Sequence, residues 1–153
     1  MNQTSEPLAA QARTLAKQGD WEAARTKLLQ LVSEVIGASA KDLKINRDQY
    51  SLNSLNGLTE LDDGRRFFFK YHNEEGEDKT IEEYYNAELL REAGYRVDVP
   101  LYACGEPGRQ ILFYALREDL RLADACRTVE EAGDWQNMAA VVKAQDEYDE
   151  EAL

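Results

Sequence analysis

The chain has 153 residues, of which 43% are hydrophobic, and its 30 acidic and 18 basic side chains give a formal net charge of -12 at pH 7. A chain of this length supports one core with a small appendage, and its negative charge argues against a nucleic-acid partner. No segment approaches the roughly 20 apolar residues of a membrane span, and the N-terminus does not resemble a secretory signal. We therefore expect a cytoplasmic protein that binds neither nucleic acid nor membrane.

The first 40 residues predict a helical hairpin. Ser5 can cap a first helix and Pro7 suits its opening turn, with apolar residues following at helical spacing. A second apolar stripe begins at Trp21, and Gly37 is a plausible stop. A single helical hairpin cannot form a solenoid, because stacked repeats are needed to bury its face. We interpret residues 1–40 as an N-terminal appendage or packing element.

A different pattern begins near Leu43 and predicts β-structure. Short runs lie around Tyr50 and over residues 58–61 and 65–72, and Asp63-Gly64 is a tight-turn signal between the last two. A helix is predicted over residues 81–93, with Thr80 as its cap and Gly94 as its end. Two further strands are predicted near residues 99–104 and 109–116, turning at Glu106-Pro107-Gly108.

Two helices complete the chain, over residues 120–129 and from Trp135 to about Tyr148. The predicted fold class is therefore α+β. It has an N-terminal helical hairpin, a five-stranded antiparallel sheet with one helix between strands 3 and 4, and C-terminal helices. The predicted divisions are residues 1–40, 41–118 and 119–153.

Cysteine and histidine are scarce in this chain. Cys104 and Cys126 have no partner motif and are most simply small core residues. His72 is the only histidine, so zinc sites that need several His or Cys ligands and His-based triads are hard to assemble. We predict no metal ligands and no catalytic residue from this chain.

The stretch "RRFFFKYH", residues 65–72, combines aromatics with a central lysine. Side chains alternate along a strand, so Phe68 and Lys70 share one face while Phe67, Phe69 and Tyr71 share the other. The second face is typical of packing on a core. The first sets a cation beside an aromatic ring, as is needed to hold a phosphate next to a flat ring. A buried strand whose lysine reaches solvent is the alternative.

Two neighbouring segments offer further binding residues. "SLNSLNG", with Ser54, Asn56 and Gly57, predicts a small polar turn that brings backbone N–H groups close to phosphate oxygens; a plain hairpin turn is the alternative. On the 81–93 helix, Glu83 is the favoured partner for Lys70, because its face of the helix continues as apolar. Glu88 is the second choice.

The succession "SLNSLNG", "RRFFFKYH", "EEYYNAELLREAGYRVDVP" and "LYACGEPGRQILFYALR" resembles the nucleotide-binding lobe of the protein-kinase-like fold, as found in aminoglycoside phosphotransferases and choline kinases. The resemblance covers roughly residues 43–130. It implies that Lys70 touches the α and β phosphates of ATP and that Glu83 pairs with it. It further implies that Phe68 lies against adenine and that backbone groups from Ala115 to Arg117 face the adenine edge. Magnesium would accompany ATP as its counter-ion.

The chain also departs from that family. Its glycine-rich loop is reduced to Gly57, and it contains neither the His-Gly-Asp nor the His-Arg-Asp loop that carries the catalytic aspartate in the family's C-terminal lobe. We therefore expect an ATP-binding lobe of a small-molecule phosphotransferase, as a fragment or truncated form that is inactive alone, with a missing C-terminal lobe or another protein as partner. A non-catalytic protein-interaction module on a kinase-like scaffold is the alternative.

Overall fold

The computed structural model describes residues 7–47, 54–72, 79–106, 108–117 and 122–152. These residues form five helices and a five-stranded antiparallel sheet, which confirms the predicted α+β class. The helices are α1 (Leu8–Lys17), α2 (Trp21–Ile36), α3 (Lys79–Glu92), α4 (Leu122–Ala132) and α5 (Trp135–Ala152). The strands are β1 (Ala40–Ile45), β2 (Ser54–Leu61), β3 (Arg66–His72), β4 (Tyr102–Cys104) and β5 (Ile111–Ala115).

The strands lie side by side in the order β1-β2-β3-β5-β4, and every neighbouring pair is antiparallel. The chain passes from β3 through α3 to the edge strand β4 and then returns to pair β5 with β3. The predicted sheet, with one helix between its third and fourth strands, is therefore confirmed. This order places β2, β3 and β5 next to one another, with β3 in the middle.

The helical hairpin begins and ends with local signals that the sequence carries. Pro7 directly precedes α1 and its carbonyl accepts a hydrogen bond from the Gln11 N–H at 3.0 Å; the predicted cap Ser5 lies outside the described residues. The Asp20 side chain caps α2 by accepting from the Ala23 N–H at 3.2 Å. Gly37 ends α2 in a left-handed conformation, with φ of 73°, as predicted for this glycine.

One face of the sheet, which we call the core face, packs against this hairpin. Small residues of α1 and larger ones of α2 meet the sheet in a single buried cluster: Ala9, Ala12, Ala16, Ala24, Leu28, Leu31 and Val32. The core-face members of the same cluster are Leu43, Ile45, Leu61, Phe67, Phe69, Tyr71, Ile111 and Phe113. The prediction that residues 67, 69 and 71 face a core is confirmed. The hairpin supplies the opposite side of that core.

The other face of the sheet, which we call the lysine face, carries Lys70. Strand alternation places Phe68 and Lys70 of β3 here, and the pairing register adds Asn56 and Leu58 from β2. β5 contributes Leu112 and Tyr114. Leu112 is fully buried, whereas the other five are half-buried.

Two tight turns confirm predictions made from glycine. Gly64 has φ of 84° in the β2–β3 hairpin, where the Leu61 N–H donates to the Arg65 carbonyl at 2.9 Å. Gly108 has φ of 77° in the β4–β5 turn, and a Cβ atom there would lie 2.5 Å from the ring of Pro7. The second turn thus packs against the start of α1, so a side chain at Gly108 is opposed by both the backbone conformation and the neighbouring proline.

The chain divides into two compact units. The first comprises Met1–Leu89 with Asp98–Leu116 and holds the hairpin and the whole sheet. The second comprises Leu90–Val97 with Arg117–Leu153 and holds α4 and α5. The predicted division at residues 40 and 118 stays a prediction.

The first two strands differ most from expectation. β1 spans Ala40–Ile45, earlier than the predicted run around Tyr50, which lies outside the described residues. The predicted turn in "SLNSLNG" is wrong for residues 54–57, which belong to β2. β1 buries only Leu43 and Ile45, so its alternation is too short to stand out in the sequence.

None of the described helices combines the length and the apolar character that a crossing of the bilayer requires. Cys104 and Cys126 are free thiols, and both are half-buried rather than fully enclosed in a core. The expectation that they are core residues is thus only partly met.

Candidate functional site

The lysine face places side chains of β2, β3 and β5 in rows across the sheet. In one row, Asn56 lies opposite Lys70, which in turn lies opposite Leu112. In the adjacent row, Phe68 lies between Leu58 and Tyr114. Side chains directly opposite on antiparallel strands have Cβ atoms about 4.5–5.5 Å apart, so each row is a set of neighbours.

The row around Phe68 forms an apolar platform. The rings of Phe68 and Tyr114 have centroids 6.5 Å apart and planes inclined at 45°. Both rings are half-buried, so each retains surface that a ligand could cover. Leu58 extends the platform on the other side of Phe68. A flat apolar ring of a ligand fits such a surface better than a polar group does.

The row around Lys70 brings polar groups beside this platform. Lys70 is half-buried and takes part in an interaction within the protein. The Asn56 side-chain oxygen accepts a hydrogen bond from Asn46 Nδ2 at 2.8 Å, and the Asn46 N–H donates to the Asn56 carbonyl at 2.9 Å. This double link holds the exit of β1 against β2 on the Lys70 side of the platform.

A third row, on the opposite side of the platform, is occupied by ion pairs. Glu60 lies opposite Asp42 on β1 and accepts a hydrogen bond from Lys41 Nζ at 2.7 Å. This hydrogen bond raises the pKa of Lys41. Arg25 donates to Asp42 Oδ1 at 2.5 Å and lowers the pKa of that carboxyl. Both carboxylates are therefore engaged by cations, which reduces their repulsion of an anion on the lysine face.

Gly57 has a structural task that explains its residue type. It lies buried within β2, opposite Ile45. A Cβ atom at this position would lie 2.0 Å from the Lys44 carbonyl oxygen and 3.0 Å from the Phe69 ring. Glycine is thus needed for the close approach of β1 and β2. This packing explains the glycine at position 57 without a role in phosphate binding. Ser54 lies at the start of β2, and its side chain is outside the described residues.

The predicted glutamate partners of Lys70 both lie on α3. The side chain of Glu83 is outside the described residues, so the Lys70–Glu83 pair stays a prediction. Glu88 is half-buried and, like Lys70, takes part in an interaction within the protein, and the Lys70–Glu88 pair also stays a prediction.

The predicted hinge residues lie at the end of β5. Ala115 is the last residue of that strand, is exposed and lies opposite Phe67. Arg117 follows two residues later and belongs to the second compact unit. Strand pairing ends at Ala115, and contact of the backbone from Ala115 to Arg117 with an adenine edge stays a prediction.

Two contributors to this face, Tyr114 and Asn46, were not predicted from the sequence. Alternation in "QILFYALR" sets Leu112 and Tyr114 on one side of a strand. Whether this is the side of the sheet that carries Phe68 depends on the β3–β5 register, which the sequence does not reveal. Asn46 carried no signal at all, because its role depends on the pairing of β1 with β2.

Comparison of the chain with known family models, with curated proteins and with solved structures finds no match. The kinase-like resemblance therefore stays a prediction. The observed face itself presents a cation, an amide pair and an aromatic platform, all on adjacent strands. Such a set can bind an anion attached to a flat ring.

Proposed function

We propose that the lysine face binds ATP, as the nucleotide-binding lobe of a small-molecule phosphotransferase of the aminoglycoside phosphotransferase and choline kinase type. The observation that carries this proposal is the register of β2, β3 and β5. It sets Lys70 directly beside the platform of Phe68 and Tyr114, on the sheet face that the helical hairpin leaves uncovered. The element order of three strands, one helix and two strands is the order that the resemblance implies.

The residues present fit this ligand. Lys70 would bind the α and β phosphates through its ammonium group, and Phe68 would pack against adenine. Among the described residues, no three His, Cys, Asp or Glu side chains gather to hold a metal ion. The magnesium ion would accompany ATP as the counter-ion of its phosphates.

Lys70 is a half-buried side chain with an interaction of its own, whereas the scaffold alternative requires an ordinary surface lysine. This favours nucleotide binding. Transfer of the phosphoryl group needs a positioned base and magnesium ligands as well as a phosphate clamp. The chain has no His-Gly-Asp or His-Arg-Asp loop. The proposal is therefore binding without transfer by these residues, in the cytoplasm, with the catalytic aspartate supplied by a C-terminal lobe or by a partner protein.

The test is calorimetry of MgATP binding to the wild type and to Lys70→Ala. Hydrogen bonds to charged groups contribute about 1.5–3 kcal/mol, so the substitution should weaken binding by about 10- to 100-fold. Lys17→Ala is the matched control, because Lys17 is an exposed lysine of α1 and lies outside the lysine face. It should leave the affinity unchanged.

A comparison of MgATP with magnesium triphosphate separates the two halves of the site. Phe68→Leu removes the ring. It should weaken the binding of MgATP and leave the binding of magnesium triphosphate almost unchanged. Equal affinity of Lys70→Ala and wild type for MgATP would remove the basis of the proposal.

A second function, protein interaction, is favoured by the second compact unit. None of its described residues is buried, and Trp135 and Val142 are 68% and 52% exposed to solvent. Exposed large apolar side chains of this kind are typical of surfaces that bind another protein. Absence of ATP binding in the wild type would make this the preferred function.

A further inference from the structure

A groove separates the first turns of α2 from the outer edge of β1. Its volume is about 690 Å³. The helix contributes Trp21, Glu22 and Arg25 to its lining, and the strand and its exit contribute the six consecutive residues 42–47. It lies along the edge of β1, whereas the proposed nucleotide site lies on the face of β2, β3 and β5.

The floor of this groove is an edge of the sheet. β1 is the first strand in the sheet order, so among the described strands only β2 pairs with it. The Asn46 N–H donates to β2, and the Asp42 carbonyl accepts from Thr59 Oγ1 of β2 at 3.0 Å. Backbone groups of successive residues point to opposite sides of a strand, so those of Leu43 and Ile45 point away from β2 and into the groove.

One end of the edge is already closed. Arg25 Nε donates to the Leu43 carbonyl at 2.8 Å, and Asp42 Oδ1 accepts from the Leu43 N–H at 2.8 Å. Both outward backbone groups of Leu43 are thereby satisfied. The next outward residue is Ile45, which is 9% exposed at the floor of the groove. An added strand can therefore begin to pair at Ile45 and continue only toward Arg47.

The charge of the groove is opposite to that of the protein. Three cations, Arg25, Lys44 and Arg47, line it against two carboxylates, and one of these, Asp42, is already engaged by Arg25. The whole chain has a net charge of -12. Arg47 is exposed, and its guanidinium lies 5.0 Å from the centroid of the Trp21 ring. Arg47 therefore offers an attractive charge to an acidic group at this end of the groove.

We infer that this groove binds an extended acidic segment of a partner protein, which adds to β1 as a further strand at Ile45. The main chain of the segment exchanges hydrogen bonds with Ile45. One of its carboxylates pairs with Arg47, and an apolar side chain packs on Trp21. The inference is independent of nucleotide binding, because none of these residues belongs to the platform or to the row of Lys70.

The test uses the full chain labelled with ¹⁵N and a blocked hexapeptide of alternating valine and glutamate. Strand addition depends mainly on the main chain, so this generic sequence is a sufficient probe at millimolar concentration. We expect saturable shifts of the Ile45 and Arg47 amide signals and slower hydrogen exchange at the Ile45 amide. Arg47→Glu should weaken binding by about tenfold or more. The charge-matched control Lys17→Glu should bind as the wild type does, since Lys17 lies outside the groove.

A hexapeptide N-methylated at every residue, and so blocked on both edges, distinguishes strand addition from attraction of charge alone. It keeps the carboxylates but cannot pair with a strand edge, so it should not bind. Equal binding of the methylated peptide would overturn the inference, as would absence of saturable shifts or unchanged affinity of Arg47→Glu. Because the methylated peptide needs no change in the protein, a folding defect of a variant cannot obscure the result.

Discussion

The two faces of the sheet come from the same strands and have different tasks. On the core face, Phe69, Tyr71 and Phe113 are fully buried beneath the helical hairpin. On the lysine face, Phe68 and Lys70 are only half-buried. The six residues "FFFKYH" thus supply both the centre of the core and the candidate binding groups. Alternation along a single strand is enough to separate stability from ligand binding.

The core face is covered by the helical hairpin. The helical hairpin packs on it, and α1 adds Arg13, whose guanidinium lies 5.5 Å from the centroid of the Tyr71 ring. Arg109 of the β4–β5 hairpin pairs with Glu34 of α2 at 2.9 Å. The hairpin is therefore held to the sheet by buried apolar contacts and by polar contacts at the margin. Substitutions on the two faces should consequently have different effects.

The largest difference is expected between Phe69→Ala and Phe68→Ala. Removing a fully buried Phe ring costs about 3–5 kcal/mol, so Phe69→Ala should lower the free energy of unfolding by that amount. Phe68 is half-buried, and its loss should be about half as large, because less apolar area is returned to water. Urea unfolding measures both. Equal losses at the two positions would contradict the distinction between the faces.

The order of the two effects should be reversed when MgATP affinity is measured instead of stability. Under conditions where both variants are folded, Phe69→Ala should retain MgATP affinity, whereas Phe68→Ala should lose it. Retention of affinity by Phe68→Ala would show that the aromatic platform takes no part in binding.

A smaller loss of stability is expected for Gly57→Ala. The added Cβ would meet the Lys44 carbonyl, which is backbone and cannot move without disturbing the β1–β2 pairing. Overpacking of this kind costs about 1–3 kcal/mol. Thermal or urea unfolding should therefore show destabilisation, with MgATP affinity of the folded protein unchanged. Loss of affinity at unchanged stability would instead support the phosphate-binding role predicted for this glycine.

The smallest effect is expected at the Arg25–Asp42 pair, which holds α2 to the edge of β1. Arg25 lowers the pKa of Asp42 below its ordinary value of 3.8. At a pH above that ordinary pKa, the ionised carboxylate therefore stabilises the folded chain. This contribution to stability is lost as the pH falls through the lower pKa of the folded state. The side chain of Asp42 is 64% exposed, so the contribution is small.

Asp42→Asn should thus be slightly less stable than the wild type at pH 7, and the difference should shrink below pH 3.8. Urea unfolding of both proteins from pH 7 to pH 2 measures it. A difference that stays constant over this range would show that the ion pair is not its source.

Much of the fold was predictable because its signals are local. The turns at Gly64 and Gly108, the end of α2 at Gly37 and the alternation in β3 each depend on a few adjacent residues. β1 and the true state of residues 54–57 were missed. β1 has only two buried residues, and "SLNSLNG" is polar enough to resemble a turn until its partner strands are known.

The candidate site was predictable in part for the same reason. Phe68 and Lys70 lie on one strand, so their shared face follows from spacing alone. Tyr114 and Asn46 come from other strands, and only the pairing registers place them there.

The sequence by itself determined the class of the fold, the order of the elements after β1 and the two faces of β3, because helix caps, turns and alternation act over short distances. The tertiary structure alone decided that the hairpin covers the core face, that Gly57 serves strand packing, and that a cationic groove lies along the edge of an acidic protein. These features depend on contacts between residues far apart in the chain. The packing of helix on sheet fixes such contacts, and no local pattern encodes them.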